Sequence, residues 1–265
     1  MNFSASRPPP LDRIPQEIAA LADYEPFARE RLDDNAWAYL AGGAADGVTQ
    51  RNNRAAFDDI SLTTRILADL SGGSTRTSLF GIDLAHPVMV APVGYQKLFH
   101  PDGERAVAMA AGAMDAPMIV SSVSTTSIEE IAEAADGAPL LLQLYWQNDR
   151  GATRALIERA EAAGCKAIVP TADAPINGVR NIEQRAGFRL PPGLTPAMYH
   201  HRPQPAPPGG HPIFDGLLTG ALAWRDIEWL IGATRLPIIR WKTTPSPRSI
   251  RQHQASVVVP PSRWP

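Results

Sequence analysis

From about residue 87 onward, short apolar runs alternate with longer segments whose apolar residues recur every three or four positions. The runs Pro87–Ala91, Met118–Ser122, Leu140–Tyr145, Ala167–Thr171 and the start of another at Leu236–Ile239 predict strands. Between them, Gly103–Met114, Ser127–Ala135, Arg150–Ala163 and Trp224–Leu230 predict helices. Thr126 or Ser127, followed by Glu129 and Glu130, forms a capping box at one helix start. Gly164 closes the helix before the fourth strand. Upstream the pattern is less regular. Residues 1–14 are Pro-rich and expected to be loose. Ile18, Leu21, Phe27, Leu32, Trp37 and Leu40 predict short helices between Pro15 and Leu40. The small residues Ala41 to Ala45 interrupt them, and a helix resumes over about Gly47–Phe57.

Strand and helix repeating roughly every 25–30 residues is the pattern of consecutive βαβ units around a parallel sheet. A doubly wound sheet and an eight-unit barrel share that pattern. Polar residues decide between them. Ser121 and Ser122, Gln143 and Tyr145, and Thr171 and Asp173 stand at the carboxyl ends of successive strands. A barrel builds its site from that whole rim. An open sheet gathers its ligand at one switch point, marked by a Gly-rich turn, and no G-x-G-x-x-G follows any of these strands. The expectation is an α/β fold of the (β/α)8 class. Only about the first four to five βα units are present, preceded by N-terminal helices. A long Pro/Gly-rich insertion, Leu190 to about Gly220, carries His200, His201 and His211 and reads as a lid.

Composition narrows the function. With 265 residues and 44% hydrophobic content, a sizeable core can be buried. A formal net charge of -2 and no basic cluster argue against nucleic-acid binding. The single cysteine, Cys165, rules out an intrachain disulfide and is expected to pack as a small apolar residue. No basic segment leads into an apolar run at the N-terminus, and no stretch reaches the length of a membrane span. A cytoplasmic protein without a membrane partner is the resulting expectation.

Strand alternation puts Gln143 and Tyr145 on one face, which points inward in a barrel. A Gln amide both donates and accepts, so it suits the edge of a heterocycle, and a Tyr hydroxyl suits a substrate oxygen. Both could equally satisfy polar groups inside the barrel. Thr171 could bond a cofactor ring. Asp173 could orient a neighbouring base or simply cap a loop. Arg180, in the loop beyond, offers a planar fork suited to a carboxylate, although an isolated loop arginine is also an ordinary solvated charge. His200 and His201 lack a carboxylate or cysteine at ligand spacing, so no metal site is expected. Glu129 and Glu130 are most simply the first turn of a helix.

Taken in order, these segments resemble the FMN-dependent 2-hydroxy acid oxidases and dehydrogenases, the family of the glycolate, lactate and mandelate oxidases. The resemblance runs from about Ala22 to Ile239. It is carried by Tyr39-Leu40-Ala41-Gly42-Gly43-Ala44, Asn53, Phe57, Ala91-Pro92-Val93-Gly94-Tyr95 and His100-Pro101-Asp102-Gly103-Glu104. It continues through Ser121-Ser122, Ser127-Ile128-Glu129-Glu130, Gln143-Leu144-Tyr145, Thr171 to Pro175, Gly178 to Arg180 and Phe188-Arg189-Leu190-Pro191. Each motif is weak alone, and the ordered set is specific. It implies FMN at the carboxyl-terminal rim of a (β/α)8 barrel. Val93 and Gly94 would then touch the flavin through backbone, and Ser121, Gln143 and Thr171 would bond its ring. Tyr39 and Tyr145 would bond the substrate, Arg180 would grip its carboxylate, and Asp173 would pair with the catalytic base. The implied reaction takes a small (S)-2-hydroxy acid to the 2-oxo acid, with oxygen or another acceptor receiving the electrons, often in a homotetramer. The stretch Tyr95-Gln96-Lys97-Leu98-Phe99 looks most like the bacterial mandelate and lactate oxidases.

The likeness ends near Ile239. After Leu236-Pro237-Ile238 the family places a Lys-Gly pair, and here Trp241 stands in that place with Lys242 one residue late. The family's later His-Gly-Gly-Arg motif and phosphate-binding strands have no counterpart up to Pro265. Residues 240–265 therefore read as a non-family tail. Ser262 to Pro265 can be written TCA CGG TGG CCN, which read one base later gives His-Gly-Gly, so a shifted frame is one account of the tail; a natural short form with its own tail is the other. The expectation for these residues is an inactive chain, with a non-catalytic half-barrel that dimerises or binds a partner as the alternative.

Overall fold

The computed structural model describes residues 8–199, 206–218, 220–241 and 255–258. The His200–His201 pair, the first seven residues and most of the tail lie outside them. The chain divides into two compact units.

The first unit comprises residues 1–71, 98–101 and 177–193. It holds helices α1 (Tyr24–Arg31), α2 (Asp34–Ala41) and α3 (Val48–Asp58), together with a short helix, Asn181–Ala186, introduced below as α7. Asp33 caps α2 by accepting from the Ala36 N–H at 2.6 Å. Leu32, Ala36 and Ala38 are buried. The Asn35 side chain clasps the backbone of Arg189, donating to its carbonyl and accepting from its N–H, each at 2.9 Å. The predicted break after Ala41 and the resumed helix are both present.

The second unit comprises residues 72–97, 102–176 and 194–265. It opens with a hairpin of β1 (Thr77–Leu79) and β2 (Ile82–Leu84). Then come α4 (Gly103–Ala113), β3 (Met118–Ser121), α5 (Ile128–Ala134), β4 (Leu140–Leu144), α6 (Arg150–Ala162) and β5 (Ala167–Pro170). After α7 the chain returns with α8 (Trp224–Ala233), β6 (Ile238–Trp241) and β7 (Ala255–Val258). The sheet order is β3-β4-β5-β6-β7. The first four strands are parallel, and β7 runs antiparallel along β6.

Every residue of β4 is buried, as expected of a parallel strand covered on both faces. Leu140, Leu142 and Leu144 pack with Leu156, Ile157 and Ala160 of α6 and with Ile128 and Ile131 of α5 in one core. Each such leucine contributes about 1.5–3 kcal/mol by leaving water. On the opposite face, Leu141 packs with Ala167 and Ile239, and Phe80 and Ile82 of the hairpin cover them. This second face carries the site. Helix spacing follows from chemistry at particular points. Asp149 caps α6 by accepting from Gly151 and Ala152. A Cβ on Gly112 would stand 2.6 Å from the Ala135 carbonyl, so only glycine lets α4 pass this close to the end of α5. Ser127 and Glu130 form the predicted capping box on α5. Ser127→Ala is therefore expected to cost about 1 kcal/mol, read as a shift in the chemical-denaturation midpoint.

Two expectations need correction. The strand predicted over Pro87–Ala91 is reduced to a single bridge between Val90 and Met118. The Val88 N–H turns to the His86 ring nitrogen at 3.3 Å, and Pro87 and Pro92 have no N–H with which to extend the ladder on either side. The last predicted strand lies at Ile238–Trp241 rather than Leu236–Ile239, since Pro237 cannot donate. No helix among the described residues is long and apolar enough to cross a membrane.

Candidate active site

The second face of the sheet ends in a row of polar side chains. Ser121 pairs in register with Gln143, and Thr171 lies one residue beyond β5. These three residues are brought together as expected. The Gln143 amide donates to the Thr171 hydroxyl at 2.7 Å. Its oxygen accepts from the Ser121 hydroxyl at 3.1 Å and from the Ser122 N–H at 3.2 Å. Because Ser122 N–H can only donate, this bond fixes which end of the amide is oxygen. Ser121 and Gln143 are buried, and Thr171 is partly exposed. After these bonds, one N–H of Gln143 and the hydroxyl hydrogen of Thr171 remain to donate. Two adjacent donors at the rim match the acceptor-rich edge of a heterocycle.

Beside this row, Gly94 is buried and Val93 stays 39% exposed, which leaves the backbone near Val93 open to a ligand. Tyr95 holds a positive φ of 55°, a strained conformation for a side chain with a Cβ, and its N–H donates to Val123 at 3.2 Å. Tyr145 is half-buried and meets Tyr199 edge-on, with ring centroids 6.0 Å apart. Burial raises the Tyr95 phenol above its ordinary range, helped by Tyr145. Burial pushes Tyr199 up to about 12. Both phenols therefore keep their protons at neutral pH and serve as donors.

Thr171, Tyr145 and Tyr199 line a cleft of about 90 Å³ with Ala172, Ala174 and Pro175. Small-molecule sites usually measure roughly 300–1,000 Å³, so the cleft is one wall of a site and not a complete one. A larger cleft of about 200 Å³ lies by Asn148, Arg150 and Arg225. Its cations are already engaged in part: Arg150 pairs with Asp226 at 3.2 Å and stacks over Trp229. The rim row, with its spare donors, is the better candidate.

Asp173 is exposed, and the structure does not join it to the Gln143 row. Tyr39 and Arg180 belong to the first unit. There Tyr39 stacks between Phe99 and Phe188, with centroids 6.1 and 5.2 Å away. Arg180 precedes α7 and sits 3.5 Å from Glu183. Cys165 is buried as expected, and burial pushes its thiol up to about 12, so it is no nucleophile at neutral pH. His211 caps a π-helical turn, Pro212–Leu217, by accepting from the Ile213 N–H.

Sequence reasoning gave no role to Glu104. Its carboxylate is fully buried and accepts from the Gln96 N–H at 3.1 Å and from the Thr125 N–H and hydroxyl, both at 2.7 Å. It also accepts from the Thr126 hydroxyl at 2.8 Å. Glu104 thus ties the loop carrying Val93 and Gly94 to the loop after β3. An acid in a first helical turn reads as a dipole partner, which hides this role. Its partners Thr125 and Thr126 lie 21 and 22 residues further on, so no local signal marks it.

Polar groups on the carboxyl ends of parallel strands, with helices behind them, define an α/β barrel enzyme site. The sequence profile of the FMN-dependent dehydrogenases matches residues 28–240. This chain belongs to that family. It is 41% identical over 252 residues to the L-lactate oxidase of Alicycliphilus denitrificans, covering 93% of this chain and 68% of that protein. It is 39% identical to glycolate oxidase 1 of Zea mays, covering 84% and 62%. A solved mandelate oxidase variant with (S)-mandelic acid superposes with a TM-score of 0.75 at 35% identity, covering 85% of this chain and 62% of that one. The chain thus spans between 60% and 68% of the length of the curated relatives it matches, and its fold is a partial (β/α)8 barrel.

Proposed function

We propose that this chain carries the flavin-ring side of an FMN-dependent oxidation of a small (S)-2-hydroxy acid to its 2-oxo acid. We further propose that residues 1–265 alone do not complete that reaction. The observation that supports the first part is the Ser121–Gln143–Thr171 row with its two spare donors. Ser121, Gln143 and Thr171 would hold the ring edge, and the backbone of Val93 and Gly94 would touch the ring, with Val93 exposed to reach it. Bound FMN supplies the ring that accepts the hydride equivalent. Tyr145 donates its phenol hydrogen to a substrate oxygen, and Asp173 is the residue that would pair with the family's catalytic base. Tyr39 and Arg180 keep the roles the family resemblance gives them, at the substrate hydroxyl and carboxylate. The base and the second carboxylate clamp belong to the family's His-Gly-Gly-Arg motif, which residues 1–265 do not contain. The same reading takes the protein as cytoplasmic, with oxygen or another acceptor receiving the electrons, in a family that often forms homotetramers.

The test is a flavin titration of the purified 265-residue polypeptide. Since the proposed contacts are to the ring, riboflavin and FMN should quench with affinities within about tenfold of each other, under roughly 1.4 kcal/mol apart. Absence of quenching by either flavin would sink the ring-binding reading. Flavin reduction by lactate, glycolate or mandelate under anaerobic conditions would overturn the inactive half of the proposal.

A further inference from the structure

The sheet of the second unit does not end on a barrel strand. Its last member, β7, runs antiparallel to β6, with Ile238 opposite Val258, Ile239 opposite Val257, Arg240 opposite Ser256 and Trp241 opposite Ala255. Every strand of a (β/α)8 barrel runs parallel to its neighbours, and a parallel neighbour arrives through a crossover. β7 therefore stands outside the barrel topology. It belongs to the tail, beyond residue 240, where the family profile stops. Its own sequence suits an edge position. Val257, Val258 and Val259 are β-branched, which favours extended backbone. Pro260 and Pro261 follow, and neither has an N–H with which to lengthen a ladder.

The edge that β7 covers would be reactive if bare. On its other side β6 is held by one register pair, Ile168 with Ile238, and by the Ile168 N–H bonded to the Pro237 carbonyl at 2.9 Å. Ile238 and Ile239 are buried, one in each of the two apolar cores that flank the sheet. Without β7, this apolar strand would present a row of unpaired N–H and C=O groups, and such an edge recruits another chain. With β7 in place, that row is already paired. The new outer edge is only four residues long and is followed by prolines, which is the blunted kind that resists further pairing. We propose that β7 is an edge cap: a strap of the same chain that closes β6 against strand pairing with a second copy. The role belongs to the tail and not to the part shared with the family, and it does not depend on flavin binding.

Hydrogen–deuterium exchange tests this on the 265-residue chain and on two variants. In the unaltered chain, exchange at residues 238–241 should be slow at every protein concentration, because the cap is part of the same molecule. Ser256→Pro with Val257→Pro removes the N–H from two successive residues, one of which faces β6 because strand N–H groups alternate in direction. At low protein concentration this variant should exchange about tenfold faster or more across 238–241. As its concentration rises, protection should return together with a rise in mass by light scattering that the unaltered chain does not show. Val257→Gly with Val258→Gly keeps every N–H and lowers only the strand preference. It should give the same changes in smaller degree, and it decides the matter if exchange at 140–144 in β4 reports that the proline variant has lost its fold. Fast exchange in the unaltered chain, or full protection in both variants, means that β7 does not hold the edge and overturns the proposal. Faster exchange without added association overturns it too, since the bare edge then recruits nothing. Protection in the unaltered chain that weakens on dilution assigns the cap to the tail of a second copy and likewise overturns it.

Discussion

Replacing Glu104 by alanine is expected to destabilise the second unit by about 3 kcal/mol, measured as a shift in its urea unfolding midpoint. The carboxylate is fully buried and accepts four hydrogen bonds, two from backbone N–H groups and two from threonine hydroxyls. Alanine leaves all four donors facing a cavity, at about 1 kcal/mol or more each. Removing a buried charge recovers part of that loss, which is why the expected total is not larger. Glu104→Gln separates the contributions. Its amide oxygen can keep the two backbone donors, and the hydroxyls of Thr125 and Thr126 can rotate to accept from its NH2. It should cost only about 1 kcal/mol. A Glu104→Ala cost below about 1 kcal/mol would show that water replaces the carboxylate freely, and the anchoring role would fail.

How much of this was legible in sequence follows from which signals are local. Helices α4 to α6 and strands β3 to β5 announce themselves because two periods, caps and Gly164 all agree. The β1–β2 hairpin does not. Its two-residue turn needs positive φ at both Phe80 and Gly81, at 55° and 76°, and a phenylalanine in that position conceals the usual turn chemistry. Helix α7 is short and polar, with nothing apolar to mark a face beyond Ile182. At the site, strand alternation alone put Gln143 on the face opposite Leu142, and the rim row assembled accordingly. The roles of Tyr39, Asp173 and Arg180 rest on family likeness, since nothing in their local sequence distinguishes a binding group from a solvated one. Glu104 was illegible because its partners, Thr125 and Thr126, lie across a strand and a turn.

Gln143→Glu is expected to leave the second unit folded and to weaken flavin binding about a hundredfold, the value of two lost hydrogen bonds at roughly 1.4 kcal/mol each. In the native row, the amide oxygen serves Ser121 and Ser122, while its NH2 serves Thr171 and retains one hydrogen for a ligand. A carboxylate can still accept from Ser121 and Ser122. It also accepts from Thr171, whose hydroxyl must then turn inward. Both spare donors disappear, and a negative charge stands against the acceptor edge of the ring. Gln143→Leu makes the contrasting case. It strands the Ser121 hydroxyl in a buried place, while the Ser122 N–H keeps its bond to the backbone carbonyl of position 143, so stability should fall by about 1 kcal/mol along with affinity. The decisive comparison is therefore between stability and binding in the glutamate variant. If flavin quenching persists there at native affinity, the row is only the polar closure of a barrel wall, and the ring must be held elsewhere.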